Sequence, residues 1–228
     1  MEPTVFNVII LDKSGSMGGI RRQAVDGLNE TLGGIRSSHK NKPEFRQSVT
    51  IVAFCGCETK AICYDTDIEK VADLRPEDYQ PCCTTPLYDA IGNTISRLHQ
   101  VTGDDRNAMV SVTIITDGYE NASTEFSGKA IKALIDAYKQ EGWMFAYIGA
   151  DHDVESVAST LDIDNVMRFD KTEAGTRQMF IRYRMARQRW EDANVSFMEQ
   201  PSLSMEELLE RKRCASRAFF DDDEPKQS

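Results

Sequence analysis

Long hydrophobic runs are missing from this sequence. The longest, Val5 to Leu11, is broken by Asn7 and falls well short of the roughly 18 apolar residues that cross a bilayer, so no membrane span is expected. The chain opens Met1-Glu2-Pro3-Thr4 with no basic stretch and no longer apolar segment behind it, and no export signal is read there. Positive charge is in deficit: 27 Lys and Arg stand against 37 Asp and Glu, for a formal net charge of −10. Such a field repels phosphate backbones and favours cations and basic partners, which argues against nucleic acid as a ligand. No Gly-x-Gly-x-x-Gly follows the first apolar run, so dinucleotide binding has no support. The three histidines lie beside no nucleophile motif, which leaves a catalytic triad unsupported. Internal repeats and low-complexity tracts are also missing. What remains is 228 residues with 40 % hydrophobic and 28 % charged side chains, a balance that excludes wholesale disorder, a coiled coil and a collagen-like chain.

The acidity is uneven. Residues 1–170 carry 16 Lys and Arg against 26 Asp and Glu, whereas residues 171–228 carry 11 of each. Six cysteines stand at 55, 57, 63, 82, 83 and 214. A chain this long can bury a core without staples and shows no secretory signal, so reduced thiols in a cytoplasmic protein are the expectation. A thiolate metal site built from Cys55, Cys57, Cys63, Cys82 and Cys83 is the less favoured alternative, because the paired Cys-x-x-Cys spacing of zinc sites is missing.

From residue 5 to residue 170 apolar runs alternate with amphipathic stretches. Val5–Leu11 reads as a buried strand. Ile20, Ala24, Leu28, Leu32 and Ile35 then recur at helical spacing, up to Gly33-Gly34 and the polar segment 37–42. Ser48–Phe54 and Lys60–Tyr64 suit an antiparallel hairpin. A loop with Pro76, Pro81 and Pro86 precedes a helix marked by Leu87, Ile91, Ile95 and Leu98. Met109–Thr116 has the continuous apolar and β-branched character of a central strand. A helix around Ala130–Tyr138, a strand at Trp143–Ile148, a short helix at Val154–Leu161 and a strand at Val166–Phe169 complete a doubly wound α/β sheet.

Beyond Lys171 the pattern is helix without strand. Met179, Tyr183, Ala186 and Trp190 form one apolar stripe between about Glu173 and Asn194, and Arg177, Arg182, Arg184, Arg187 and Arg189 crowd the same segment. The simpler reading is a helix that covers the sheet and turns a solvated basic face outward; the alternative is a partner-binding or switching element. Ser204 and Glu207 have capping-box spacing ahead of a last helix with Met205, Leu208, Leu209, Ala215 and Phe219. Residues 221–228 read as a frayed polar tail. The division expected is therefore 1–170 for the α/β domain and 171–228 for a helical extension.

The chemistry concentrates where strands end. Asp12-Lys13-Ser14-Gly15-Ser16 follows the first strand, Thr84-Thr85-Pro86 precedes the second helix, and Thr116-Asp117-Gly118 closes the central strand. Each alone is explained by a cap or a turn. Together they lie at the carboxyl ends of strands, where an open α/β sheet forms its ligand crevice. Carboxylate and hydroxyl oxygens suit a hard divalent cation such as Mg²⁺, with coordination positions left over for other ligands. His152, between Asp151 and Asp153, could also line this crevice, although a helix-start role for Asp153 is the simpler account. His39 and His99 read as surface residues in a polar loop and at a helix end.

These three segments resemble the von Willebrand factor A domain with its metal-ion-dependent adhesion site. The likeness covers about residues 5–170 and rests on Asp12-x-Ser14-x-Ser16, Thr85 before Pro86-Leu87-Tyr88-Asp89-Ala90, and Thr116-Asp117-Gly118. It implies a Rossmann-like, doubly wound, mostly parallel six-stranded sheet with one antiparallel edge strand, here with a C-terminal helical extension. It further implies that Ser14, Ser16 and Thr85 ligate Mg²⁺ or Mn²⁺ through their hydroxyls. Asp12 and Asp117 would act directly or through water. The open position takes a Glu or Asp carboxylate from a protein partner, a binding role and not an enzymatic one. One departure is that Cys83-Thr84 stands where the family often has Gly-Gly before the threonine. In members that switch, the helix after the last strand moves with coordination, which makes the Arg-rich helix a candidate for coupling. Two other readings compete: a phosphohydrolase of the haloacid dehalogenase type, whose Asp-x-Asp pair is broken here by Ser14, and a structural domain with a vestigial metal site.

Overall fold

Nine consecutive residues, Thr4–Asp12, form strand β1, and all nine are buried. Alternation decides where they go. Val5, Ile9 and Leu11 enter the core on one face of the sheet, and Phe6, Val8 and Ile10 enter the core on the other. A strand apolar on both faces belongs at the centre of a sheet covered on both sides, and β1 lies there. The structure is a computed structural model and describes residues 3–221 except 104, 106 and 201; the expected tail at 222–228 falls outside the described residues.

The other strands are β2 (Arg46–Cys55), β3 (Glu58–Asp67), β4 (Ala108–Thr116), β5 (Met144–Gly149) and β6 (Asn165–Arg168). They form one six-stranded sheet in the order β3-β2-β1-β4-β5-β6. Every pairing is parallel except β2 with β3, the hairpin expected from residues 48–64. Between them run α1 (Arg21–Asn41), α2 (Leu87–Thr102), α3 (Gly128–Gln140) and α4 (Val154–Thr160), followed by α5 (Glu173–Met198) and α6 (Met205–Arg217). The α/β fold with a single antiparallel edge strand is therefore as the sequence implies.

Helix α1 packs with α5 against the face holding Val5 and Ile9, while α2, α3 and α4 cover the face holding Val8 and Ile10. Each wholly buried Leu, Ile or Val contributes about 1.5–3 kcal/mol, so this double burial is the main support of the sheet. The two helices on the first face approach closely at Gly27: a Cβ there would stand 2.1 Å from the Phe180 ring, so only glycine admits α5 at this depth.

Two local expectations need correction. Helix α1 does not stop at Gly33-Gly34 but continues to Asn41, because Ile35 and Ser38 are buried in its last turns and their tertiary contacts outweigh the low helix propensity of glycine; His39 is consequently helical and not in a loop. The basic face of α5 is not wholly solvated either. Arg187 is 1 % exposed and its Nη1 lies 2.6 Å from Glu191 Oε2. The apolar stripe Met179, Tyr183, Ala186 and Trp190 is buried as expected, and Ser204 and Glu207 form the capping box of α6.

Candidate functional site

In this strand order the chain crosses from one half of the sheet to the other between β1 and β4, and the crevice beyond their carboxyl ends is the favoured ligand position of such folds. Asp12 is the last residue of β1 and is fully buried. Its Oδ1 accepts the Ser14 backbone N–H at 2.6 Å and its Oδ2 accepts the Thr116 hydroxyl at 2.7 Å. Burial pushes the Asp12 carboxyl above its ordinary range, and those hydrogen bonds offset only part of the shift, with Asp117 adding a further upward push. A carboxylate held in this way is short of positive charge.

After Asp12 the chain turns through a short 3-10 segment, Gly15–Ile20, before α1 begins. That turn returns Ser16 toward Ser14, with their Oγ atoms 3.1 Å apart. Ser16 Oγ donates to Asp117 Oδ1 at 2.6 Å, so the segments after β1 and β4 meet directly. Cis ligands of an octahedral ion with 2.0–2.1 Å bonds lie about 2.9 Å apart. Hydroxyl and carboxylate oxygens at these spacings fit a hard divalent cation.

Thr85 arrives from the loop before α2. It is 3 % exposed, and its Oγ1 lies 3.7 Å from where a Cβ on Gly118 would stand, so it faces the turn that carries Asp117. Asn121 holds it there: Thr85 N–H donates to Asn121 Oδ1 at 2.9 Å, and Asn121 N–H donates to Thr85 O at 3.1 Å. Thr84 is exposed and turns the other way. Its Oγ1 occupies the space in which a Cβ on Gly56 would lie, at 1.9 Å. The residue before it, Cys83, has φ of 59°, a left-handed conformation in which glycine is most at ease. The backbone thus keeps a glycine-like turn although the residue is cysteine. All five sequence-selected residues, Asp12, Ser14, Ser16, Thr85 and Asp117, line the same crevice.

Three neighbours were given no role by the sequence. Lys171 places Nζ 2.8 Å from Asp117 Oδ2 and 2.7 Å from Asp151 Oδ2. Burial lowers the Lys171 pKa, but the two carboxylates outweigh it and the net shift is upward. Tyr79 donates its hydroxyl to the Asp12 carbonyl at 2.6 Å. Asp89 accepts the backbone N–H groups of Thr124, Glu125 and Phe126; burial pushes its carboxyl up, yet these bonds bring it below its usual range. Lys171 sits on the crevice side of β6, a position that strand order could have flagged, whereas nothing in the sequence marks Asn121 or Tyr79. His152 is buried and occupied by Ala150 O at 2.6 Å and the Tyr147 hydroxyl at 3.1 Å. Asp153 caps α4 by accepting Ser156 N–H at 3.1 Å, the helix-start role expected of it.

The cysteines depart from the sequence expectation. Cys57 and Cys83 are joined in a disulfide, and Cys55, Cys63, Cys82 and Cys214 are free. A hairpin turn and a loop 26 residues apart are brought into register by the strand-end crevice, a proximity that cysteine spacing alone does not reveal.

No protein-family model matches the sequence, and no curated protein matches it. Solved structures do match in fold. The SpRpn10 VWA domain superposes with a TM-score of 0.52 at 10 % identity, over 80 % of this chain and 95 % of that one. The pilus adhesin SpaC from Lactobacillus rhamnosus GG gives 0.58 at 13 % identity, over 81 % of this chain but 30 % of that one. Proximal thread matrix protein 1 from the mussel byssus gives 0.52 at 13 % identity, and the match spans only 44 % of its length. The fold is that of a von Willebrand factor A domain, with helices added after the last strand. Among the described residues no helix is long and apolar enough to cross a membrane.

Proposed function

We propose that this chain is a non-catalytic, protein-binding module that captures a partner's Glu or Asp carboxylate through a divalent cation at the crevice. The carrying observation is that three distant segments bring hydroxyl and carboxylate oxygens together at the strand ends, Ser16 Oγ lying 3.1 Å from Ser14 Oγ and 2.6 Å from Asp117 Oδ1, with Asp12 buried behind them and Thr85 facing the Asp117 turn. Ser14, Ser16 and Thr85 would hold Mg²⁺, or Mn²⁺, through hydroxyls, with Asp12 and Asp117 acting directly or through water. Neutral ligands leave such a cation more electrophilic than a cage of carboxylates would, so it retains affinity for an incoming acid. The fold shared with a pilus adhesin and with the SpRpn10 domain supports an interaction role. Tyr119, 54 % exposed beside the crevice, offers an aromatic contact to a partner. The phosphohydrolase alternative gains nothing, since Ser14 stands where that chemistry needs its second acid. We place the protein in the cytoplasm, a reducing setting in which the Cys57–Cys83 disulfide of the structure would be opened.

The test is calorimetric titration of Mg²⁺ and Mn²⁺ into metal-stripped protein and its Asp12→Ala variant, with acetate or a glutamyl peptide as carboxylate mimic. Binding of about one equivalent that tightens with the carboxylate and vanishes in the variant supports the reading. No binding even with carboxylate present removes it in favour of a domain with a vestigial site, and metal-dependent hydrolysis of a phosphate ester removes it in favour of an enzyme.

A further inference from the structure

Beside the oxygen-lined crevice lies a second cluster of entirely different chemistry. Cys55 ends β2, Cys57 lies in the hairpin turn just before β3, and Cys82 and Cys83 lie in the loop that leads to Thr85. The four Sγ atoms fall within 4.8 Å of one another, with Cys55 and Cys82 3.1 Å apart. A tetrahedral zinc ion with Zn–S bonds of 2.3 Å needs sulfurs about 3.8 Å apart, which is the scale of this cluster. Adjacent side chains in extended backbone point to opposite sides, but the left-handed φ of Cys83 breaks that alternation at the Cys82-Cys83 pair. The surrounding backbone is already fixed. Lys13 N–H donates to Phe54 O at 2.7 Å, Cys82 N–H to Lys13 O at 2.7 Å, Gly15 N–H to Cys83 O at 3.2 Å and Gly56 N–H to Thr84 O at 2.8 Å.

We infer that, in the reduced protein, Cys55, Cys57, Cys82 and Cys83 form a zinc tetrathiolate that staples the hairpin tip to the Thr85 loop. A Cys-x-Cys and a Cys-Cys pair supply two ligands from each side, so the site is formed by the tertiary fold and not by the Cys-x-x-Cys spacing seen in many zinc proteins. Reaching it from the disulfide form requires a thiol reductant. Two reductant thiols give two electrons and two protons to the Cys57–Cys83 bond and are themselves joined in a disulfide. The four protein thiols then lose four protons as four Zn–S bonds form. The resulting centre carries two negative charges beside the Lys13 ammonium. With four protein ligands and no open position, its role is structural, in contrast to the oxygen crevice next to it, and it stands whether or not that crevice binds magnesium.

The full-length protein, reduced by a dithiol under nitrogen and stripped with a chelator, is titrated with Co²⁺ and then Zn²⁺. The expected result is about one equivalent of cobalt with the thiolate charge-transfer and tetrahedral visible bands, displaced by zinc. The Asp12→Ala, Cys63→Ser and Cys214→Ser variants keep this signal, which separates it from the oxygen site and from the remaining cysteines. Cys55→Ser and Cys82→Ser each weaken binding by at least about 100-fold, with far-ultraviolet dichroism confirming that each is folded. A reduced, folded wild type without the bands overturns the inference, as does wild-type affinity in both cysteine variants.

Discussion

The two ends of the sheet use polar side chains in opposite ways. At the carboxyl ends of β1 and β4, acids and hydroxyls gather around a point still reachable from solvent, and the Asp12 carboxyl is raised by burial with no side-chain cation bonded to it. On the face covered by α5, polar groups are also buried but bond chiefly to one another, although Arg187 Nε has no partner. Arg187 Nη1 donates to Glu191 at 2.6 Å and to Asn7 Oδ1 at 3.1 Å, Gln47 Nε2 donates to the other Glu191 oxygen at 2.7 Å, and Asn7 Nδ2 donates to Gln47 Oε1 at 3.0 Å. A network whose charged members bond one another fixes register and docking. One in which a buried acid, Asp12, has no cation bonded to it is prepared for a ligand.

The difference is sharpest in the response to losing an acid. Glu191→Ala leaves the Arg187 guanidinium buried without its partner, so the expected destabilisation is about 3–5 kcal/mol, read by urea unfolding. The double variant Arg187→Met, Glu191→Leu should recover most of that loss, since well-packed apolar residues often replace a buried pair without cost. Wild-type stability in Glu191→Ala would show that Glu191 is not the counter-ion its distance from Arg187 indicates.

Lys212 tests the same face with a group that titrates. It lies 2 % exposed in α6, and its Nζ donates to Ala108 O at 3.1 Å. Burial brings its pKa down to about 8 from the ordinary 10.5, Asp105 countering only in part. Because the folded pKa is depressed, the unfolded chain binds the extra proton between these values, so the native state gains stability as pH rises from about 8 to 10.5. Below pH 8 the charged lysine costs up to about 3 kcal/mol. Lys212→Met is therefore more stable than wild type at pH 7, and the gap closes by about pH 10.5. A gap unchanged by pH would assign the gain to packing and not to charge.

At the crevice the opposite outcome is expected. Asp12→Asn removes a carboxylate that the fold alone disfavours, so stability changes by less than about 1 kcal/mol. Magnesium affinity should fall by at least about 100-fold. If Asp12→Asn unfolds the protein, the crevice is a structural network like the one beneath α5 and the comparison fails.

How much of this was legible in the sequence follows the same division. Strand and helix identities emerged because apolar periodicity is local; topology brought the segments around Asp12, Thr85 and Asp117 to one set of strand ends, and the choice of five residues within them came from the family resemblance. Arg187 was missed because a run of arginines on an exposed-looking face gives no sign that one of them turns inward to Asn7, although Asn7 breaking an otherwise apolar strand was the complementary clue. The extension of α1 past Gly33-Gly34 depended on burial of Ile35 and Ser38, a tertiary effect that outweighs local propensity. The cysteine cluster was the less favoured of two readings for a similar reason: spacing gave no sign that hairpin tip and Thr85 loop meet, which happens only once β2 lies beside β1.

Lys171 joins the two ends of the comparison. Its ammonium holds Asp117 and Asp151 and lies two residues ahead of α5, so a cation drawn to Asp117 must contend with a positive charge already bonded there. Lys171→Met removes that repulsion. Magnesium affinity should rise by about fivefold, the effect of roughly 1 kcal/mol between like charges a few ångströms apart when screened as in water. The same variant addresses coupling to the helix. In wild type, Mg²⁺ with acetate should alter amide hydrogen exchange in the first turn of α5, because sharing Asp117 with the ion loosens Lys171. In Lys171→Met that response should disappear while binding improves. Unchanged exchange across α5 in the wild type would separate the crevice from the helix entirely and leave Lys171 as a local counter-charge.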